Sequence, residues 1–253
     1  MTVYALESMT TPEVQDQIES GRDLIVVPFG AIEQHGPHLP IGTDAILGDE
    51  IGYRTADRLD AFLAPTVRVG CSPHHMAFAG TVTVQAETLT RIAIEISESL
   101  AQHGFKRIFL LPTHFGNFAS LAAAAAELEK RDLNGTAVVS PSDYFAQVLE
   151  GATLGISAEL GIAPGESGAH CGEWETSVML VLRPDLVHMD RAEPGYTGDL
   201  QQGLAKVFSE GTDAIASNGV IGDPTRASAD HGERYIARLV EIGVEAVQQA
   251  QLA

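Results

Sequence analysis

Basic residues are scarce in this 253-residue chain: 15 lysines and arginines face 34 aspartates and glutamates, a formal net charge of −19. A nucleic acid or an anionic membrane needs a cationic face to displace counterions, so this balance argues against either partner. Cysteine is almost absent. Two thiols, Cys71 and Cys171, cannot form a disulfide framework and read as reduced thiols in a cytoplasmic protein. Nowhere do 18 apolar residues run together, so no membrane span is expected. The opening MTVYALESMTTPEVQD lacks both the basic and the apolar regions of a secretory leader, which supports the same cytoplasmic expectation. Also missing are G-x-G-x-x-G, the P-loop and G-x-S-x-G, which removes the commonest nucleotide and serine-hydrolase readings. What is present is ordinary for a folded domain, with 45% hydrophobic and 19% charged residues.

Short apolar runs alternate with amphipathic stretches. DLIVVPFG (23–30), AFLAPTVRVG (61–70), KRIFLLP (106–112) and TAVVSP (136–141) read as strands. Between and after them, DAILGDEIGYRTADRL behind a Thr43 cap, TLTRIAIEISESLAQHG (88–104), FASLAAAAAELEKR and HGERYIARLVEIGVEAVQQAQ read as helices. Strands separated by helices of this length predict parallel βαβ units. The expected fold is therefore α/β, a single domain over residues 1–253 with a mainly parallel central sheet and helices on both faces. Residues 144–167, punctuated by Gly and Pro, read as a loop or small excursion.

Ligands of open α/β sheets bind outside the carboxyl ends of the strands. Three histidine-bearing segments are read as starting there. GAIEQHGPHLPIGTD offers Glu33, His35, His38 and Asp44; PTHFGN offers His114 and Asn117; SGAHCGEWETS offers His170, Glu173 and Glu175. Imidazoles and carboxylates converging from separate strand ends suit a divalent ion such as Zn, Mn or Fe(II). Glu33 and His35, two apart on extended backbone, can point the same way, and a carboxylate such as Asp44 can bridge two metals about 3.5–4 Å apart. His103 reads as a helix cap, and His188 and His231 as surface or capping residues without a cluster. A thiol nucleophile at Cys171 is disfavoured because it would leave the carboxylates without a role.

Residues 30–44 follow G-x-x-E-x-H-G-x-H-L-P-x-x-T-D, and in this the chain resembles the creatininase (creatinine amidohydrolase) family. SPHHMAFAGTVTV and HCGEWETS resemble that family's later blocks, and the matched blocks run from about residue 25 to 190. The resemblance implies a dinuclear centre with two divalent metal ions per chain, in a homo-oligomer, usually a hexamer, that opens an amide-type C–N bond. Carried over position by position, Glu33, Asp44 and His114 would hold one metal, and His35 with bridging Asp44 the second. The family's glutamate two residues after the strand-end histidine is Gly116 here, so its role passes to Glu173. His170 would be the proton shuttle, with Glu175 behind it.

The resemblance further implies attack by a hydroxide bridging the metals on a small-molecule substrate, a small cyclic amide or N-acyl compound. Ser72, His74, His75, Phe115, Asn117 and Trp174 are the expected substrate-binding residues, with His38 orienting its loop. Departures around Phe115 and His74, and the absence of tryptophans before His170, argue against creatinine itself. The alternatives are a creatininase-like peptidase, a formamide deformylase in cofactor biosynthesis, and a non-catalytic binding member. A metal-dependent phosphoesterase is disfavoured by the scarcity of basic residues near the motifs.

Overall fold

The computed structural model describes residues 3–140 and 143–252. Five strands form one sheet: β1 (Tyr4–Ala5), β2 (Leu24–Phe29), β3 (Phe62–Leu63), β4 (Arg107–Pro112) and β5 (Ala137–Val139). Their spatial order is β1-β3-β2-β4-β5 and every pairing is parallel. At the centre, β2 and β4 pair in register from Leu24 opposite Arg107 to Phe29 opposite Pro112. β2 is buried at every position, as a strand covered on both faces must be.

Side chains of a strand alternate between faces, and β2 divides the core accordingly. Val26 packs with Ile51, Trp174, Tyr235 and Val240 on one side. Ile25, Val27 and Phe29 pack with Leu89, Phe105 and Leu121 on the other. The first face is covered by α2 (Thr43–Leu59) and by two later helices; the second by α1 (Thr11–Glu19), α3 (Ala86–Gln102) and α4 (Phe118–Leu128). The later helices are α5 (Glu173–Leu182), which carries the third motif, and α7 (Ala229–Leu252), with α6 (Leu200–Glu210) between them in sequence. The α/β class, the parallel sheet and the helices on both faces are as the sequence suggests. Among the described residues no helix is long and apolar enough to cross a membrane.

Local expectations needed correction where one residue changes the backbone's options. The run 61–70 pairs as a strand only at Phe62–Leu63 and touches the sheet again at a single bridge, Phe29 to Val67. Pro65 between them has no N–H to donate. Thr43 is the first helical residue of α2 and not its cap; Gly42 holds that place, and Thr43 Oγ1 donates to the Pro40 carbonyl at 2.7 Å. Much of residues 144–167 is helical, with π-helical turns at Gln147–Leu154. Pro141, the last residue of the expected strand TAVVSP, lies outside the described residues. The third motif does not leave a strand of the sheet: it follows an isolated antiparallel bridge, His170 to Ile221, and runs into α5.

The core beside the sheet centre bears directly on stability. Phe109 of β4 is fully buried and meets Tyr144 edge-on at 5.8 Å. Phe109→Ala should lower the unfolding free energy by about 3–5 kcal/mol, read from urea denaturation followed by far-UV circular dichroism.

Candidate metal centre

The loops after β2, β3 and β4 and the entry to α5 meet at the carboxyl edge of the sheet. Glu33 and His35 lie on the loop after β2, and Asp44 opens α2 with its carboxylate at the favourable end of the helix dipole. His35 Nδ1 donates to the Glu33 carbonyl at 3.1 Å. That bond turns Nε2 toward Asp44 Oδ1 and Glu175 Oε1, each 3.7 Å away. From the loop after β4, His114 sets Nδ1 3.4 Å from Asp44 Oδ2 and Nε2 3.3 Å from Glu33 Oε2. His170 donates Nε2–H to the Gln34 carbonyl at 2.7 Å, leaving Nδ1 3.6 Å from Glu33 Oε1 and 4.0 Å from Glu175 Oε2. His75 presents Nε2 to Glu33 Oε1 at 3.4 Å.

This donor set fits divalent metal ions. Glu33, Asp44 and Glu175 are buried together, and no lysine or arginine lines the space between them. Both oxygens of Glu33, Nε2 of His35 and Oδ2 of Asp44 are buried without a hydrogen-bond partner. Buried carboxylates in such a state are costly, and cations at their centre relieve the cost. The electrostatics say the same. Burial, and then Asp44, hold the Glu33 carboxyl well above its ordinary range. Burial alone would lower the His35 imidazole, but Asp44 and Glu175 override it and push it well above its usual value. Among the described residues, four overlapping sets of three donors have ligand atoms within 4.8 Å of one another: Glu33–His35–Asp44, His35–His170–Glu175, Glu33–His75–His170 and Glu33–His74–His114.

Two expected roles do not match this geometry. Glu173, expected as a ligand, is turned into the protein, where Tyr235 O–H donates to it at 2.6 Å, Ser177 O–H at 2.8 Å, and His231 Nδ1 lies at 2.7 Å. On the first turn of α5, residues two apart diverge by more than half a turn, so only Glu175 faces the cluster. Nor is Asn117 placed to bind substrate: its amide donates to the Phe29 and Gly30 carbonyls at 3.0 and 2.9 Å, and its oxygen accepts the Cys71 N–H at 3.0 Å. It is a staple between strand ends. His231, read from sequence as an isolated surface or capping residue, is the outer partner of Glu173.

The remaining candidates surround the cluster. Ser72 Oγ lies 3.3 Å from His114 Nε2, and His74 stacks on His114 at 5.8 Å. His75 accepts through Nδ1 from Gln34 Nε2 and lies 3.0 Å from Thr212 Oγ1. His74, His75, Phe115 and Trp174 line the space beside the donors. His38 is buried against Thr176 of α5 at 2.9 Å, tying the first motif to the third. Burial and then Glu175 push the Cys171 thiol well above its ordinary range, contrary to a thiolate nucleophile. The backbone of Cys171 matters more: held at φ +50°, it donates its N–H to Glu175 Oε2 at 2.6 Å.

Gly116 explains why no ligand stands after His114. A Cβ there would lie 2.2 Å from the Cys71 carbonyl oxygen and 2.4 Å from His114 Nε2. Sequence reasoning missed Gln34, which lies inside the first motif but points to the other face, and Thr212 and Tyr235, which carry no motif signal.

Fold and site together define a parallel α/β protein with a histidine and carboxylate cluster at its strand ends, of a kind that can hold metal ions. The chain belongs to the creatininase family, whose model, described as creatinine amidohydrolase, matches residues 7–247. It is 35% identical over 233 residues to the mycofactocin precursor peptide peptidase of Mycolicibacterium smegmatis, spanning 88% of this chain and 84% of that one. To the creatinine amidohydrolase of Pseudomonas putida it is 31% identical over 192 residues, 72% of this chain and 73% of that one. Among solved structures, a mutant creatininase of the Zn–Zn type superposes with a TM-score of 0.79 at 25% identity over 99% of each chain.

The Asn117 staple can be tested. Asn117→Ala strands three buried backbone groups, so it should destabilise the fold by about 3 kcal/mol, seen as a lowered thermal midpoint.

Proposed function

We propose that the protein is a dinuclear metal-dependent amidohydrolase. Glu33, Asp44 and His114 would hold one divalent ion, and His35, Asp44 and Glu175 would hold the other. The observation that carries this is the set of buried ligand atoms on Glu33, His35 and Asp44 that lack any hydrogen-bond partner. Nitrogen and oxygen donors of this kind accept Zn, Mn or Fe(II). Bound there, such ions would supply Lewis acidity, polarising a carbonyl and lowering the pKa of a bound water toward about 7.

The protein's own groups handle the proton. His170 is anchored through Nε2–H on the Gln34 carbonyl, and its Nδ1 faces the carboxylates. Nδ1 takes a proton from the attacking water and gives it to the leaving nitrogen. The water oxygen bonds to the carbonyl carbon, the C–N bond breaks with its electron pair on nitrogen, and a carboxylic acid and an amine leave. The Gln34 carbonyl opposes the transient positive charge on His170. Glu175, its Oε2 pinned by the Cys171 N–H, keeps its other oxygen toward His35.

For the substrate, a peptide-type or N-acyl amide is the leading reading. Identity to the precursor peptide peptidase extends over more of both chains than identity to the creatinine amidohydrolase. A small cyclic amide is the second reading, favoured by the confined space at the donors, about 30 Å³.

Elemental analysis of protein reconstituted with Zn or Mn tests the centre. The wild type should carry two ions per chain, Glu175→Gln one or fewer, and Glu173→Gln two. Wild-type protein that takes up no metal overturns the hydrolase reading in favour of a binding protein; loss of metal in Glu173→Gln alone reverses the ligand assignment. His170→Asn should keep both ions and lower kcat on a hydrolysed amide by about 10²–10⁴-fold; unchanged turnover removes His170 from the proton path.

A further inference from the structure

Room at the donors is confined to about 30 Å³, enough for little more than the reacting atoms. The rest of any substrate lies outside. There the wall continues into an open groove of about 420 Å³, and His74, Phe115 and Phe208 line both spaces. The groove is aromatic. Phe115 and Phe145 meet edge-on at 5.1 Å, Phe118 and Phe145 at 5.3 Å, and Phe208 packs on His74 at 4.9 Å. The small side chains of Ala119 and Ala122 leave its floor open.

No acidic or basic side chain other than His74 lines this groove, although the chain carries 49 charged Lys, Arg, Asp and Glu residues in all, 15 basic and 34 acidic. Phe208 is 53% exposed, the most exposed aromatic beside the site. An exposed phenyl ring on the rim of an aromatic groove that shares His74, Phe115 and Phe208 with the wall of the donor space is a surface that lacks its apolar partner.

We infer that this groove is the subsite for a bulky uncharged apolar group, aryl or branched alkyl, carried within a few bonds of the scissile amide. The inference rests on the amidohydrolase reading and adds the side-chain class that reading leaves open. Phe208 and Phe145 are its selectivity residues: they touch the apolar group and not the reacting atoms. Charged or strongly polar groups at that place are rejected because the groove offers them no partner.

The test uses two chelating probes with the same metal-binding head, acetohydroxamic acid and 3-phenylpropanohydroxamic acid. Each is titrated calorimetrically into the full-length zinc-loaded protein, with metal content measured on the same samples. The phenyl probe should bind about tenfold more tightly or better. Phe208→Ala and Phe145→Ala should each narrow that gap severalfold with zinc still bound. Equal affinity for the two probes overturns the subsite and leaves the metal centre standing. Binding of neither probe overturns the amidohydrolase reading and the subsite with it. A preference that survives both substitutions, or a Phe208→Ala variant that changes oligomeric state and keeps the preference, assigns the groove to something other than substrate and overturns the proposal.

Discussion

Three carboxylates buried in one small space, with no lysine or arginine beside them, is the constraint on which the rest of the structure depends. Left alone, Glu33, Asp44 and Glu175 would repel one another in a medium that screens poorly. Each is nevertheless held from a different element, by the loop after β2, the first turn of α2 and the first turn of α5. Helix N-termini lower the cost for two of them. Imidazoles on all sides, with one nitrogen of His35 and of His170 engaged by a backbone carbonyl, leave the other nitrogen committed to the interior. The protein's own hydrogen bonds set the orientation of both rings.

Further hydrogen bonds tie the surrounding loops together. Asn117 links the end of β2 to the loop after β3 while sitting beside the ligand loop after β4. His38 fixes the first motif to α5, and Gln34 joins the His75 ring to the Gly219 carbonyl. Glu173 performs a similar task on the far side of α5, tied to Tyr235 and His231 of α7. The centre is thus held by a second layer of polar residues, several of which belong to the same motifs as the donors.

How much was legible in the sequence follows the same division. Glu33, His35, Asp44 and His114 stand on loops that leave long apolar runs, and those runs are visible as strands. The pairing of Glu173 and Glu175 was misread because a helix first turn sends residues two apart to different sides, whereas the segment had been placed at a strand end. Asn117 looked like a binding residue because its side chain suits either task; only the positions of the Phe29, Gly30 and Cys71 backbone atoms decide it. β1 is two residues long and does not announce itself by pattern. The aromatic groove is assembled from loops and helices distant in sequence, from Cys71 to Phe208, and has no linear signature.

The crowding at Gly116 bears on how such a centre can change through evolution. The backbone oxygen of Cys71 and the ring of His114 occupy the volume that a Cβ at position 116 would need. A single substitution therefore cannot add an acidic side chain at that point of the loop after β4; the Cys71 turn has to shift with it. The glycine is held there by the packing of two neighbouring loops, and any exchange at this position is coupled to a change in the backbone beside it.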